Sequence, residues 1–139
     1  MIEQIVEFSG NHLLLVSAEV IAILLLLQNL LSGNKGNITA QQATVMMNHE
    51  DAVVLDVRPN ADFAKGHIIN AVNIPAQSVT KQLQQLDKYK NRPIIVSCRS
   101  GAQSAAICRQ LGKEGFENVH NLKGGILAWQ SENLPVTTK

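Results

Sequence analysis

The 139-residue chain has two cysteines, one tryptophan, one tyrosine and a formal net charge of only +1. Two cysteines cannot build a disulfide framework. A near-neutral balance leaves no basic excess to neutralise a phosphate backbone, so nucleic acid is not expected as a partner. No Cys/His cluster at zinc spacing and no H-E-x-x-H pattern occurs, so neither a metal nor another cofactor is expected. The length excludes a multidomain machine or a large barrel and leaves room for one domain with an appendage.

Basic residues are also missing from one end. No lysine or arginine precedes Lys35, whereas Glu3, Glu7 and Glu19 all precede Gly33; the remainder holds all twelve basic residues and eight acids. From Leu13 to Leu31 run 19 mostly aliphatic residues, LLLVSAEVIAILLLLQNLL, close to the ~20 that cross a ~30 Å hydrocarbon core. Their apolar side chains fall on every face of a helix, which calls for lipid or a large core, and roughly 105 further residues cannot supply the latter. Residues 1–33 are therefore read as a transmembrane anchor spanning at about 13–31. A cleaved signal peptide is disfavoured, because its n-region would carry Glu3 and Glu7 in place of positive charge. Glu19 inside the segment costs about 2.5–3.5 kcal/mol at a helix centre and less near an end, a cost the aliphatic surplus offsets. Glu19 there either faces a partner helix, as in contact with another membrane protein, or is protonated or snorkels to the interface. Lys35 beside the span places the C-terminal domain on the cytoplasmic side of a single-pass inner-membrane protein. Unpaired thiols agree with a reducing compartment.

Residues 34–37 close a small, polar, glycine-bearing stretch with linker composition, and a domain of residues 38–139 follows. Thr39 and Gln42 fit a capping box, which predicts a helix to about Met47. Ala52–Val57 reads as a strand stopped by Arg58-Pro59, Ala71–Ile74 as a second, Pro93–Ser97 as a third buried on both faces, and Asn118–Leu122 as the last. Helices are expected over Thr80–Leu86, over Gly101–Leu111 with Gly112 as its stop, and after Gly124-Gly125 around Trp129. Alternating strands and helices predict an α/β fold, an open and mostly parallel sheet covered by helices on both faces, with its site at the carboxyl ends of the strands.

The stretch leaving the most buried strand is Cys98-Arg99-Ser100-Gly101-Ala102-Gln103-Ser104. Small and polar residues with a glycine can curl their amides around a sulfur at a helix N-terminus, and Arg99 adds a positive charge. Such surroundings acidify the Cys98 thiol, and the thiolate is the useful nucleophile. Two chemistries use a cysteine in an anion-cradling loop. Phosphatases of the C-x5-R type need an arginine six positions after the nucleophile, where Ser104 stands. Sulfur transfer through a covalent persulfide needs only a loop that holds one sulfur, and suits the sequence better.

The region from about Ile38 to Val136 resembles a single-domain rhodanese, a sulfurtransferase family. The resemblance rests on Val54-Leu-Asp-Val-Arg58 with Asp62-Phe63, on Gly66-His67-Ile68 through Ala71-Val-Asn-Ile-Pro75, on Cys98-Arg-Ser-Gly101 with Ser104, and on Gly124-Gly125 with Trp129. A helix before such a domain resembles small membrane-anchored rhodanese-like proteins of bacteria. The resemblance implies a rhodanese-like fold, Cys98 as sulfur acceptor, and Arg99, Ser100, Gly101, Ala102, Gln103 and Ser104 as the loop that holds substrate and persulfide. It implies a small sulfur donor, thiosulfate or a persulfide, and a thiol or cyanide-like acceptor. Many single-domain members carry a basic residue where Gln103 stands, so dianionic thiosulfate is expected to bind more weakly here than in a loop with two cations, which makes a protein or low-molecular-weight persulfide a candidate donor. The reading of a second class is a membrane-tethered adaptor with incidental catalysis.

Other residues have structural readings. Asp56 and Arg58 look like framework residues, His67 a hydrogen-bonder, His120 a core or edge residue and Trp129 a packing anchor. Cys108 lies on the order of 10 Å along its helix from the loop, beyond disulfide reach of Cys98.

Overall fold

The computed structural model of the protein describes residues 1–31 and 36–139. It divides into two compact units, Met1–Lys35 and Gly36–Lys139. The linker expected at 34–37 lies, as far as residue 35, outside the described residues.

In the first unit, α1 (Ile2–Asn11) and α2 (Leu13–Leu31) meet at a break. Among the described residues no single helix is long and apolar enough to cross a membrane. The pair Ile2–Phe8 and Leu13–Gln28, bent by 102°, passes that test together by length and composition. Ile21, Leu24, Leu25 and Leu26 on α2 are exposed.

The second unit is built on five parallel strands in the order β1-β6-β5-β2-β4. These are β1 (Asn37–Ile38), β2 (Val53–Asp56), β4 (Val72–Asn73), β5 (Ile94–Ser97) and β6 (Val119–Leu122). Every residue of β2 and β5 is buried, as parallel strands covered on both faces require. The pleat sends successive side chains to opposite faces. Leu55, Ile94 and Val96 pack with Ile107, Leu111 and Phe116 on one side, where α5 (Leu83–Leu86) and α6 (Ala102–Lys113) lie. Val54 and Ile95 pack with Ala40, Ala43, Ile126 and Trp129 on the other, under α3 (Ala40–His49) and α7 (Gly125–Ser131). Each such aliphatic side chain contributes about 1.5–3 kcal/mol by burial. The α3 capping box forms as the sequence predicts: Gln42 N donates to Thr39 Oγ1 at 3.2 Å and Thr39 N to Gln42 Oε1 at 2.9 Å.

Two local expectations are corrected. The helix over Thr80–Leu86 is a 3-10 turn, Thr80–Gln82, followed by one α turn. α6 runs through Gly112 to Lys113, and the left-handed residue that follows it is Gly115, at φ 92°. β2 stops before Arg58-Pro59 as expected, and Pro59 then precedes α4 (Asn60–Lys65), because proline is compatible with a helix start. A separate antiparallel pair joins β3 (His67–Ile68) to β7 (Val136–Thr137), a partnership between distant short segments that carries no periodic signal.

Because the five strands are parallel, the residues leaving β2, β5 and β6 emerge at one edge of the sheet. Val57-Arg58, Cys98 and Lys123 all follow their strands at that end.

Candidate active site

Cys98 follows the last residue of β5 and is 2% exposed. Gly101, at φ 95°, makes the left-handed turn that reverses the chain into α6. A Cβ on Gly101 would lie 3.1 Å from Gly124 N and 3.3 Å from Leu122 O, so both backbone conformation and close packing favour glycine.

The loop closes around the sulfur. Gly101 N donates to Cys98 Sγ at 3.1 Å and Ser104 N at 3.4 Å, while Ser104 Oγ lies 3.2 Å away. The N-cap residue of α6, Gly101, has no side chain to cap it; the Cys98 sulfur takes that place, accepting from the third amide of the helix as a capping oxygen would. The amides of Ala102 and Gln103 have no protein acceptor among the described residues.

What aims the loop amides inward is α7. Ile126 N donates to Cys98 O at 2.8 Å and Leu127 N to Arg99 O at 3.2 Å. A peptide's carbonyl and amide point in opposite directions, so turning these two carbonyls toward α7 turns the amides of Arg99 and Ser100 the other way. The same contact explains the Gly124-Gly125 pair. A Cβ on Gly125 would stand 2.3 Å from Cys98 O and 2.6 Å from Arg99 O.

Two effects oppose each other on the thiol. Burial pushes its pKa up, but the Ser104 hydroxyl and the amides of Ser104, Gly101 and Ser100 outweigh burial and leave it below the ordinary thiol value. Cys108, also free, is pushed up by burial to about 12. One thiol is made acidic and the other inert within a single helix and its approach.

Around the loop stands a framework. Arg58 grips Asp56 through Nε (3.0 Å) and Nη2 (2.7 Å), and Nη2 also donates to Gly66 O at 2.8 Å. Asn73 Nδ2 donates to Asp56 O and Arg58 O, both at 3.0 Å, which ties β4 to the exit of β2. His67 is buried with Nδ1 2.8 Å from Phe63 O and Nε2 2.9 Å from Lys139 O; Trp129 is buried and donates to Pro135 O. Arg99 is exposed and lines a shallow hollow of about 190 Å3 together with Arg58, Asp62, Lys65, Leu127 and Gln130. A larger hollow of about 520 Å3, reaching Val53 and Arg92, contains none of the sulfur loop. Among the described residues no group of three or more His, Cys, Asp or Glu could hold a metal ion.

The structure thus gathers Cys98, Ser100, Gly101 and Ser104 on one sulfur; Arg99 faces the hollow, and Ala102 and Gln103 contribute unpaired amides. Sequence reasoning missed Asn121, 5% exposed, whose carboxamide reaches both Ser104 and Gly101. A lone Asn inside a strand carries no local signal, and only the pairing of β6 beside β5 brings it under the loop.

Residues 39–132 match the model of the rhodanese-like domain. The chain is 37% identical over 138 residues to an uncharacterized protein, YibN, of Escherichia coli K12, covering 96% of each. It is 37% identical over 99 residues to the thiosulfate sulfurtransferase GlpE of Glaesserella parasuis, covering 71% of this chain and 90% of that one. Its fold matches a rhodanese-related protein of Thermoplasma volcanium with a TM-score of 0.66 at 31% identity, over 75% of this chain and 99% of that one. On its own sequence, its parallel sheet and the loop between β5 and α6, the chain belongs to the rhodanese-like domain family.

Proposed function

We propose that the chain is a membrane-anchored sulfurtransferase in which Cys98 carries the sulfur. The Sγ thiolate attacks the sulfane sulfur of thiosulfate or of an organic persulfide. A new S–S bond forms, the donor's S–S bond breaks, and the electron pair leaves with sulfite or with the donor thiolate. An acceptor thiolate, or a cyanide-like nucleophile, then attacks the terminal sulfur of the Cys98 persulfide and returns Cys98 as a thiolate. The loop donates to negative charge throughout: Ser100, Gly101 and Ser104 serve Sγ, and the amides of Ala102 and Gln103 are free to serve the terminal sulfur. Donors held in place before charge arrives are the most effective kind.

The observation that carries this reading is the single buried sulfur accepting from Gly101 N and Ser104 N at a strand-to-helix turn. Ser104 occupies the position at which a C-x5-R phosphatase needs its arginine, which argues against phosphoryl transfer. Arg99 is the one charged side chain of the loop, which supports a persulfide donor over thiosulfate. The apolar, exposed α2 supports anchoring by residues 1–33, with Lys35 favouring a cytoplasmic domain, and Glu19 a contact with a partner helix.

Mass spectrometry of the detergent-purified chain after incubation with thiosulfate, and separately with glutathione persulfide, tests the proposal. A reducible gain of about one sulfur mass at Cys98 is expected, greater with the organic donor and lost in Cys98→Ser. No adduct from either donor on a folded chain with a titratable thiol would overturn it in favour of the adaptor reading.

A further inference from the structure

Asn121 sits at the centre of β6, paired with Val96 of β5 on one side and Asn37 of β1 on the other. Its Nδ2 donates to Gly101 O at 3.1 Å and to Asn37 Oδ1 at 3.0 Å. A backbone carbonyl only accepts, so the Gly101 contact fixes the carboxamide with Nδ2 toward the loop. Oδ1 is thereby left facing Ser104 Oγ, and it only accepts. Ser104 must donate, and a hydroxyl has one proton.

That single proton has two claimants. With Cys98 as a thiol, the chain is complete: Sγ–H donates to Ser104 Oγ, and Ser104 Oγ–H donates to Asn121 Oδ1. Once Sγ is ionised it has no proton to give, and an anion 3.2 Å from the hydroxyl oxygen requires that hydroxyl to turn and donate to it. The buried Asn121 Oδ1 then loses its donor, and an acceptor left unsatisfied in a buried site opposes the ionisation that strands it. In the persulfide the negative charge moves to the terminal sulfur, and the hydroxyl is free to return to Asn121.

We propose that Asn121 is a positioning residue for sulfur transfer, one that competes with Sγ for the Ser104 hydroxyl and so favours the persulfide over the bare thiolate. This rests on the reading of Cys98 as the sulfur carrier. It also gives a role to a segment that lies before the matched domain of residues 39–132. Asn37 holds the Asn121 carboxamide and Gly36 O accepts from Asn121 N, so the chain that joins the domain to the first unit completes the support of the loop.

Among the described residues, the charged and titratable groups around the loop are Arg99 within it, the Asp56–Arg58 pair at the end of β2, Asp62 and Lys65 of α4 in the hollow that Arg99 lines, Cys108 and Arg109 on α6, His120 next to Asn121 on β6, and Lys123 after β6. All are retained in the variants below, so a changed pH profile does not come from them.

The test is the pH dependence of iodoacetamide alkylation on the full chain in detergent, read at Cys98 by peptide mass spectrometry, which needs no sulfur donor. Ser104→Ala is expected to raise the midpoint. Asn121→Leu, which frees the hydroxyl for Sγ, is expected to lower it and to speed alkylation below the midpoint by about two- to tenfold. In a Ser104→Ala background, Asn121→Leu is expected to have no such effect. A second readout is the half-life of the Cys98 persulfide toward a thiol acceptor, expected to shorten in Asn121→Leu. An unchanged or raised midpoint in folded Asn121→Leu, or the same fall with Ser104 removed, overturns the proposal. Should the leucine variant fail to fold, Asn121→Ala is read by the same criteria. If Cys98 takes up no sulfur at all, the failure lies in the sulfurtransferase reading, because the alkylation midpoints stand independently of it.

Discussion

At the scale of single residues, the two thiols invert the usual relation between exposure and reactivity. Cys98 is the more buried and Cys108 the more accessible, yet hydrogen bonds hold the first below its ordinary value of 9.0 and burial holds the second at about 12. Iodoacetamide at neutral pH is therefore expected to label Cys98 well before Cys108; the reverse order would refute the account of the loop. The sign for stability follows. A thiol acidified in the folded state binds its proton less tightly there than in the unfolded chain, so folding stability gained from ionisation is absent below the folded pKa and complete above 9.0. The stability of the wild type relative to Cys98→Ser should accordingly rise with pH up to that value, and a flat difference in urea unfolding would contradict it. The cradled setting of Cys98 was legible in the sequence, because small and polar residues with a glycine follow an apolar strand there. Asn121 was not, because its role comes from its neighbours Ser104, Gly101 and Asn37, which are 17, 20 and 84 positions away.

At the scale of elements, the glycines of α6 and α7 show how far local pattern reaches. Gly112 reads as a helix stop in a one-dimensional scan, but α6 continues through it, since packing of Ile107 and Leu111 carries the helix on and Gly115 supplies the left-handed residue. A Cβ at Gly112 would meet nothing within 4 Å. Gly112→Ala is thus expected to stabilise the protein by about 0.5–1 kcal/mol, the usual gain of alanine over glycine inside a helix. Gly125 is the contrast. Its φ of 59° and the 2.3 Å approach of an added Cβ to Cys98 O mean that alanine must move the sulfur loop or α7. Gly125→Ala is expected to cost about 1–3 kcal/mol in backbone strain alone and to abolish persulfide formation. Thermal unfolding of both variants checks the opposite signs, and a neutral Gly125→Ala would remove α7 from its assigned role of holding the loop carbonyls. The parallel sheet and the α3 cap were readable because they follow from short-range periodicity and capping chemistry. The β3–β7 pair was not, since two-residue strands whose partners, His67 with Thr137 and Ile68 with Val136, stand 70 and 68 positions apart carry no pattern of their own.

At the scale of the whole molecule, the sequence divides by charge and hydropathy where the structure divides into units, and the boundary has a chemical meaning. The family match begins at residue 39, but β1 begins at Asn37, and Gly36 O and Ile38 O accept from Asn121 N and Lys123 N. Edge strand β1 is therefore part of the sulfur site's support although it stands before the matched domain. Two shortened chains separate anchoring from this support. A chain beginning at Gly36 keeps β1 and all the contacts of the loop, so it should retain sulfur transfer and the wild-type alkylation midpoint at Cys98 while no longer sedimenting with phospholipid vesicles. A chain beginning at Thr39 should lose the same membrane association and, in addition, unfold at lower temperature with a displaced Cys98 midpoint, because Asn121 has lost its Asn37 and Gly36 partners. Co-sedimentation of the Gly36 chain with vesicles would remove residues 1–33 from their assigned role as the anchor. Equal unfolding temperatures and midpoints for the two shortened chains would show that β1 is dispensable, leaving the loop supported by α7 and the Ser104 hydroxyl alone.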